Sequence, residues 1–174
     1  MVCQADINSE QNQISVKIEN LNFYFLHSIS LLNMASCDLN EEIKEKLRKF
    51  SFSQAINSAM ILKINRKENT VVVDRTIENA TMEEFAKYMP DSVPRFILFS
   101  YKYVHDETDQ YSRFSVPLLL IYFSPPTVQT YLNMVYTATK LTIMDQLKVA
   151  KVYDINSEEE MTTEWLRGKL KGYR

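Results

Sequence analysis

The sequence predicts one domain in which a mixed β-sheet lies between two layers of helix, an α+β or α/β arrangement. Three observations point there. Segments with helical spacing alternate with apolar runs of strand length, in the order helix, hairpin, helix, hairpin, long helix, strand, helix. Two of the runs, "FILF" (Phe96–Phe99) and "LLLIYF" (Leu118–Phe123), are apolar on successive residues, the mark of a strand buried on both faces. The 174 residues are 45% hydrophobic, enough for a core that needs no disulfide or metal to hold it.

Residues 1–33 stand apart from this pattern. They carry one lysine against three acids, Asp6, Glu10 and Glu19, whereas 34–174 is formally neutral. We read 1–33 as an N-terminal extension, mobile or loosely docked, and 34–174 as the domain, with Met34 an alternative start. The apolar run "LNFYFLHSISLL" (Leu21–Leu32) spans about 18 Å as a helix, too short for about 30 Å of hydrocarbon. Its polar, non-basic lead does not read as a signal peptide.

In "MASCDLNEEIKEKLRKF", Asp38 with Glu41 reads as a capping box, and Leu39, Ile43, Leu47 and Phe50 as a buried stripe. "AMILKI" and "TVVVD" flank the polar turn "NRKEN" as a hairpin. Thr81 with Glu84 starts a short helix that Pro90 ends. "RFILFSYKYV" and "SVPLLLIYF" form a second strand pair joined by "HDETDQYSRF", and Pro125 and Pro126 stop it. A long helix follows, then a short strand, "AKVYDI", and a closing helix, "MTTEWLRGKL", capped near Thr162.

The long helix has two apolar rows. At about 100° per residue, Leu132, Val135, Tyr136, Ile143 and Leu147 fall within one arc, suited to a core. Met134, Leu141 and Met144 fall opposite, mixed with Thr137, Asn133 and, at the margin, Lys140. Either the helix is sandwiched and buries both rows, or the second row meets a partner.

Catalytic chemistry finds no foothold. Both glycines, Gly168 and Gly172, lie at the C-terminal end, which excludes a phosphate-cradling loop or a nucleophile elbow elsewhere. His27 and His105 are the only histidines, and no zinc-ligand spacing exists. His105 with Asp106 reads as a solvated turn. Cys3 and Cys37 have no pairing pattern, which fits a reducing compartment, and Cys37 reads as an inert thiol. Glu158, Glu159 and Glu160 form a charge run ahead of a helix. Net charge is only −2, and Lys44, Lys46, Arg48 and Lys49 interleave with Glu41, Glu42 and Glu45, so no one-signed stripe for nucleic acid is present. The reading is therefore a monomer that is no enzyme, with no metal, cofactor, nucleic-acid or membrane partner.

The strings "PRFILFSYKYVHD", "RFSVPLLLIYFSP", "MVYTATK", "KVYDI" and "EEEMTTEWLRGKL" resemble the glia maturation factor branch of the actin-depolymerising factor/cofilin homology family, from about Cys37 to Leu170. Pro94–Asp106 and Thr162–Leu170 carry the likeness to that branch; Met134, Tyr136 and Lys140, as M-x-Y-x-x-x-K, are shared with cofilins. The resemblance implies α+β: a single actin-depolymerising-factor-homology domain with a mixed five-stranded sheet flanked by helices on both faces. It also implies a cytoplasmic regulator at cortical actin. Such a regulator binds the actin-related protein 2/3 complex, inhibits branched nucleation and promotes debranching. Cofilin-like binding and severing of actin filaments is the alternative. On this likeness Asn133, Met134, Thr137, Lys140, Leu141 and Met144 form a docking face. His105, Asp106, Arg113, Glu164 and Arg167 form a second surface from the hairpin loop and the closing helix.

The chain departs from the branch pattern in three places. Leu141-Thr142-Ile143 stands where Asn-Lys-Leu is usual, Ser51-Phe52-Ser53-Gln54 replaces a basic Arg-Phe-Arg-Lys, and the hairpin loop is three residues longer. Rim charges lost in this way slow encounter and lower salt sensitivity without abolishing docking. Against cofilins, Leu141–Leu147 lacks the basic residues that grip a filament, and Asp145 is acidic. In the family's fold the chain start lies beside the long helix, so an extension there obstructs docking. A chain beginning at Met34 is expected to bind the complex more tightly than the full chain; equal dissociation constants, measured side by side, would remove the extension from the account.

Overall fold

A computed structural model of the chain describes residues 36–53, 55–105, 113–147, 149 and 151–171. Its elements run α1 (Glu41–Phe52), β1 (Ser58–Asn65), β2 (Thr70–Ile77), α2 (Met82–Ala86), β3 (Arg95–Ser100), β4 (Tyr103–Val104), β5 (Phe114–Ser115), β6 (Leu118–Phe123), α3 (Thr130–Leu147), β7 (Lys151–Ile155), a 3₁₀ turn (Glu158–Glu160) and α4 (Thr163–Leu170). Five strands form one sheet in the order β2-β1-β3-β6-β7. Neighbours are antiparallel except β6 and β7, which run parallel because the chain crosses back through α3 between them. The predicted second hairpin is split. Its base, β3 with β6, belongs to the main sheet, while β4 and β5 leave as a separate two-stranded ribbon.

Alternation along the strands sorts the two faces. Ala59, Phe99 and Leu119 stand side by side, as do Ile61, Ile97 and Ile121. They share a core with Met82 and Phe85 of α2 and Leu166 and Leu170 of α4. Phe85 meets Phe99 edge-on with ring centroids 4.9 Å apart. On the other face Leu62, Phe96 and Tyr122 are aligned. There Phe96 stacks on Tyr122 at 5.6 Å and lies 5.2 Å from Tyr136 of α3. Cover on both faces is the reason β3 and β6 are apolar at successive positions. The helical cover on both faces of a mixed sheet is that read from the residues, and the count of five strands is that implied by the family resemblance.

The stripe of Leu39, Ile43, Leu47 and Phe50 is buried as expected. The cap of α1 is not the predicted one. Asn40 caps it, its Oδ1 accepting from the Ile43 N–H at 2.8 Å. Asp38 is engaged elsewhere: its N–H donates to the Asn69 carbonyl and its carbonyl accepts from the Val71 N–H, a bridge to β2 that delays the helix by two residues. At α2 the Glu84 carboxylate accepts from the Thr81 N–H at 3.0 Å, and the helix is over well before Pro90. Glu158–Glu160 forms the 3₁₀ turn, and Thr162 caps α4, its Oγ1 accepting from the Trp165 N–H at 3.2 Å.

Polar contacts fix α3 on its face of the sheet. The β1–β3 pairing stops at Leu62–Phe96, and the Ile64 N–H beyond it donates to the Tyr136 hydroxyl at 3.0 Å. The Thr139 hydroxyl accepts from the Cys37 N–H at 3.0 Å and donates to the Val135 carbonyl at 2.8 Å. The Cys37 thiol donates to Asn69 Oδ1 at 3.1 Å, and burial pushes its pKa up, which suppresses the reactive thiolate. Tyr136→Phe keeps the ring and removes only the acceptor, leaving a buried N–H unmatched. It is expected to lower stability by about 1–3 kcal/mol in denaturant unfolding; an unchanged midpoint would show that the hydroxyl is dispensable.

Candidate functional site

One side of α3 is packed and the other is open. Leu132, Val135, Tyr136, Ala138, Thr139 and Ile143 are buried, while Leu147, at the last turn, is half-buried rather than a core residue. Opposite them Met134 is 44% and Leu141 51% exposed, with Thr137 and Met144 half-buried. The helix is not sandwiched. Tyr131, 66% exposed, belongs to the same row and escaped the sequence reading. Its position one turn before Met134 was the available signal. From Tyr131 to Met144 the row extends about 20 Å along the axis. An aromatic ring and two flexible thioethers give it area and adaptability at once.

Two of the predicted docking residues are engaged within the domain. Asn133 is half-buried, and its Oδ1 accepts from the Tyr122 hydroxyl at 2.8 Å and the Ser124 hydroxyl at 3.1 Å, fastening the first turn of α3 to the end of β6. Burial raises the Tyr122 pKa, which keeps that hydroxyl a donor. Lys140 is not the open marginal charge that the sequence suggests. Its Nζ lies 2.9 and 3.0 Å from the two carboxylate oxygens of Asp154 on β7, and 4.9 Å from the centre of the Tyr122 ring.

The second predicted surface is brought together in part. His105 follows β4; its Nε2 lies 3.0 Å from Ser115 Oγ, and its ring meets Tyr103 edge-on at 5.0 Å. Tyr103, Val104 and His105 form one wall of a shallow groove whose other wall is Arg167, Gly168 and Lys171. Arg113 and Glu164 are exposed but do not line it, and Asp106 lies outside the described residues. The position of α4 is set by α2. The Glu83 carboxylate accepts from the Thr163 N–H at 2.6 Å and from the Thr163 hydroxyl at 3.0 Å. Among the described residues no group of three or more His, Cys, Asp or Glu side chains is placed to hold a metal ion, and no helix is long and apolar enough to cross a membrane.

This fold, with an open apolar row on the helix between β6 and β7, defines a class. The family model described as cofilin/tropomyosin-type actin-binding protein matches residues 36–171. Glia maturation factor of Drosophila melanogaster is 38% identical over 136 residues, covering 78% of this chain and 96% of that protein. The solution structure of glia maturation factor from Caenorhabditis elegans superposes with a TM-score of 0.65 at 33% identity, covering 76% of this chain and 94% of its own. The crystal structure of a Streptomyces griseoflavus cofilin has a TM-score of 0.63 at 16% identity, over 76% of this chain and 96% of its own, a likeness of fold alone. The chain belongs to the cofilin/tropomyosin-type actin-binding family and, within it, to the glia maturation factor group. Membership makes it a regulator of the actin cytoskeleton.

The Glu83 anchor carries a pH dependence. Burial alone would raise its pKa, but hydrogen bonds from Thr163, from its own backbone N–H and from the Thr81 hydroxyl together outweigh that and hold the carboxyl below its ordinary value. A carboxyl lowered by folding stabilises in full above the unfolded value, about 4.3, and the contribution is lost as pH falls through the folded one. Glu83→Ala is therefore expected to speed hydrogen exchange at the α4 amides at neutral pH and to flatten the acid response of that helix. Unaltered exchange from Thr163 to Leu166 would show that α4 is held by its apolar face alone.

Proposed function

We propose that this chain docks on the actin-related protein 2/3 complex through the open row of α3, restrains branch nucleation there, and releases existing branches, at the cytoplasmic actin cytoskeleton. The observation that carries the reading is the row itself. Tyr131, Met134 and Leu141 leave a long helix apolar on the side away from its own sheet, and an exposed apolar strip of that kind marks an interaction site. The relatives at 33–38% identity place the chain with the glia maturation factors rather than with the cofilins, and the complex is the partner that this resemblance implies. The groove between the β4–β5 ribbon and α4 is the second contact, suited to branch release because it lies on elements away from the row.

Filament binding of the cofilin kind is the second reading, favoured by the shared fold. It is weakened by the lack of basic residues from Leu141 to Leu147 and by the pairing of Lys140 with Asp154. The two separate in one experiment. Met134→Asp and Leu141→Asp place a charge in the centre of the row at exposed positions, so folding is preserved. Each is expected to weaken binding of the full chain to the purified complex by at least about tenfold, with filament co-sedimentation low throughout. Undiminished binding by both variants would refute the docking row, and filament binding that exceeds binding to the complex would favour the cofilin reading.

A further inference from the structure

We propose that Asp154 is a built-in competitor for Lys140, so that the docking margin of the free chain presents an acid where the sequence promises a base. The proposal rests on the docking row described above. Lys140 lies one turn from both Thr137 and Met144 of that row, on the side of β7. Its side chain is 14% exposed and that of Asp154 is 59% exposed. The outward member of the pair is thus the carboxylate. The ammonium is clasped by both carboxylate oxygens, at 2.9 and 3.0 Å, and stands over the Tyr122 ring at 4.9 Å. Tyr122 is itself held from its other end by Asn133, so the lysine is seated on a fixed platform.

Two consequences follow for a partner closing on the row. Any partner carboxylate that reaches for Lys140 must displace one that the fold places beside it, an intramolecular rival that dilution cannot remove. The only other charge on α3 is Asp145, which is exposed. With Lys140 matched, α3 itself offers an acidic partner surface no unpaired base to steer towards. Asp154 therefore acts as a positioning residue: it sets the charge that Lys140 shows, and with it the rate and salt sensitivity of docking. As a folding contact the pair counts for little, since its acid is well exposed to water.

The test uses the full chain and purified actin-related protein 2/3 complex, with dissociation constants measured across a salt series. Asp154→Asn frees the lysine and is expected to bind about three- to tenfold more tightly at low salt, with a steeper salt slope. The double variant Asp154→Asn/Lys140→Gln is expected to lose that gain, and Asp154→Glu to stay near the parent chain. Thermal unfolding of each variant guards against lost folding, and Asp154→Ser serves in place of Asn if that chain melts early. Binding by Asp154→Asn that is unchanged or weaker, while Met134→Asp still weakens docking, overturns the competitor and leaves the docking row standing. If Met134→Asp and Leu141→Asp both bind like the parent chain, the docking reading fails first. A gain that persists in the double variant also overturns the proposal, because the lysine would not be its source.

Discussion

The seating of α3 depends on one hydrogen bond placed where the sheet runs out of partners. β1 outlasts β3, and the Tyr136 hydroxyl accepts the Ile64 N–H left over at that step. A buried amide has few ways to be satisfied, so the contact sets the roll of the helix as well as its distance from the sheet. Roll is what decides function here. A step of one residue turns a helix by about 100°, enough to carry Met134 and Leu141 towards the sheet and bring Val135 or Tyr136 to the surface. Phe96, in ring contact with Tyr136, and Thr139, tied to Cys37, hold the same orientation from two further points. The open row is thus a by-product of how firmly the opposite row is held.

Much of this was legible in the residues, and the reasons differ from element to element. Continuous apolar runs at Phe96–Phe99 and Leu118–Phe123 announce burial on both faces, because a strand has only two sides to cover. Helical spacing separated Met134 and Leu141 from Tyr136 and Ile143, because period is a local property. Contacts made across the fold left no such trace. Asp38 and Asn40 are both good caps, and only the Asp38 bridge to β2 decides between them. Lys140 reads as a surface charge until β7, 14 residues later, lays Asp154 beside it. Asn133 reads as part of the docking face until Tyr122 and Ser124 are found beneath it. Tyr131 is a plainer case: the period that found Met134 extends one turn further back.

The remaining surface fits the same logic of local neutralisation. On α1, Lys44 pairs with Glu41, Lys46 with Glu42, and Arg48 with Glu45, all within one helical turn. Exposed pairs of this kind contribute little to stability, but they offset the field of three basic residues that would otherwise form a patch, and Lys49 shares Glu45 with Arg48. On the sheet, Asp74 stands between Lys63 and Arg95 at 2.6 and 3.2 Å and quiets two more cations. Against these neutralised stretches, α3 presents an exposed apolar row of Tyr131, Met134 and Leu141.

The detachment of β4 and β5 from the main sheet has its own consequence. The Tyr101 N–H donates to the Pro117 carbonyl at 3.2 Å, a clamp across the neck where the ribbon departs. Below it the strands keep strict alignment, Ser100 beside Leu118; above it the pairing restarts with Tyr103 beside Ser115. The pairing of β3 with β6 below the clamp is thus fixed by its own contacts, independently of how many residues join β4 to β5. The length and charge of the segment joining β4 to β5 can therefore be retuned without moving the register of the main sheet.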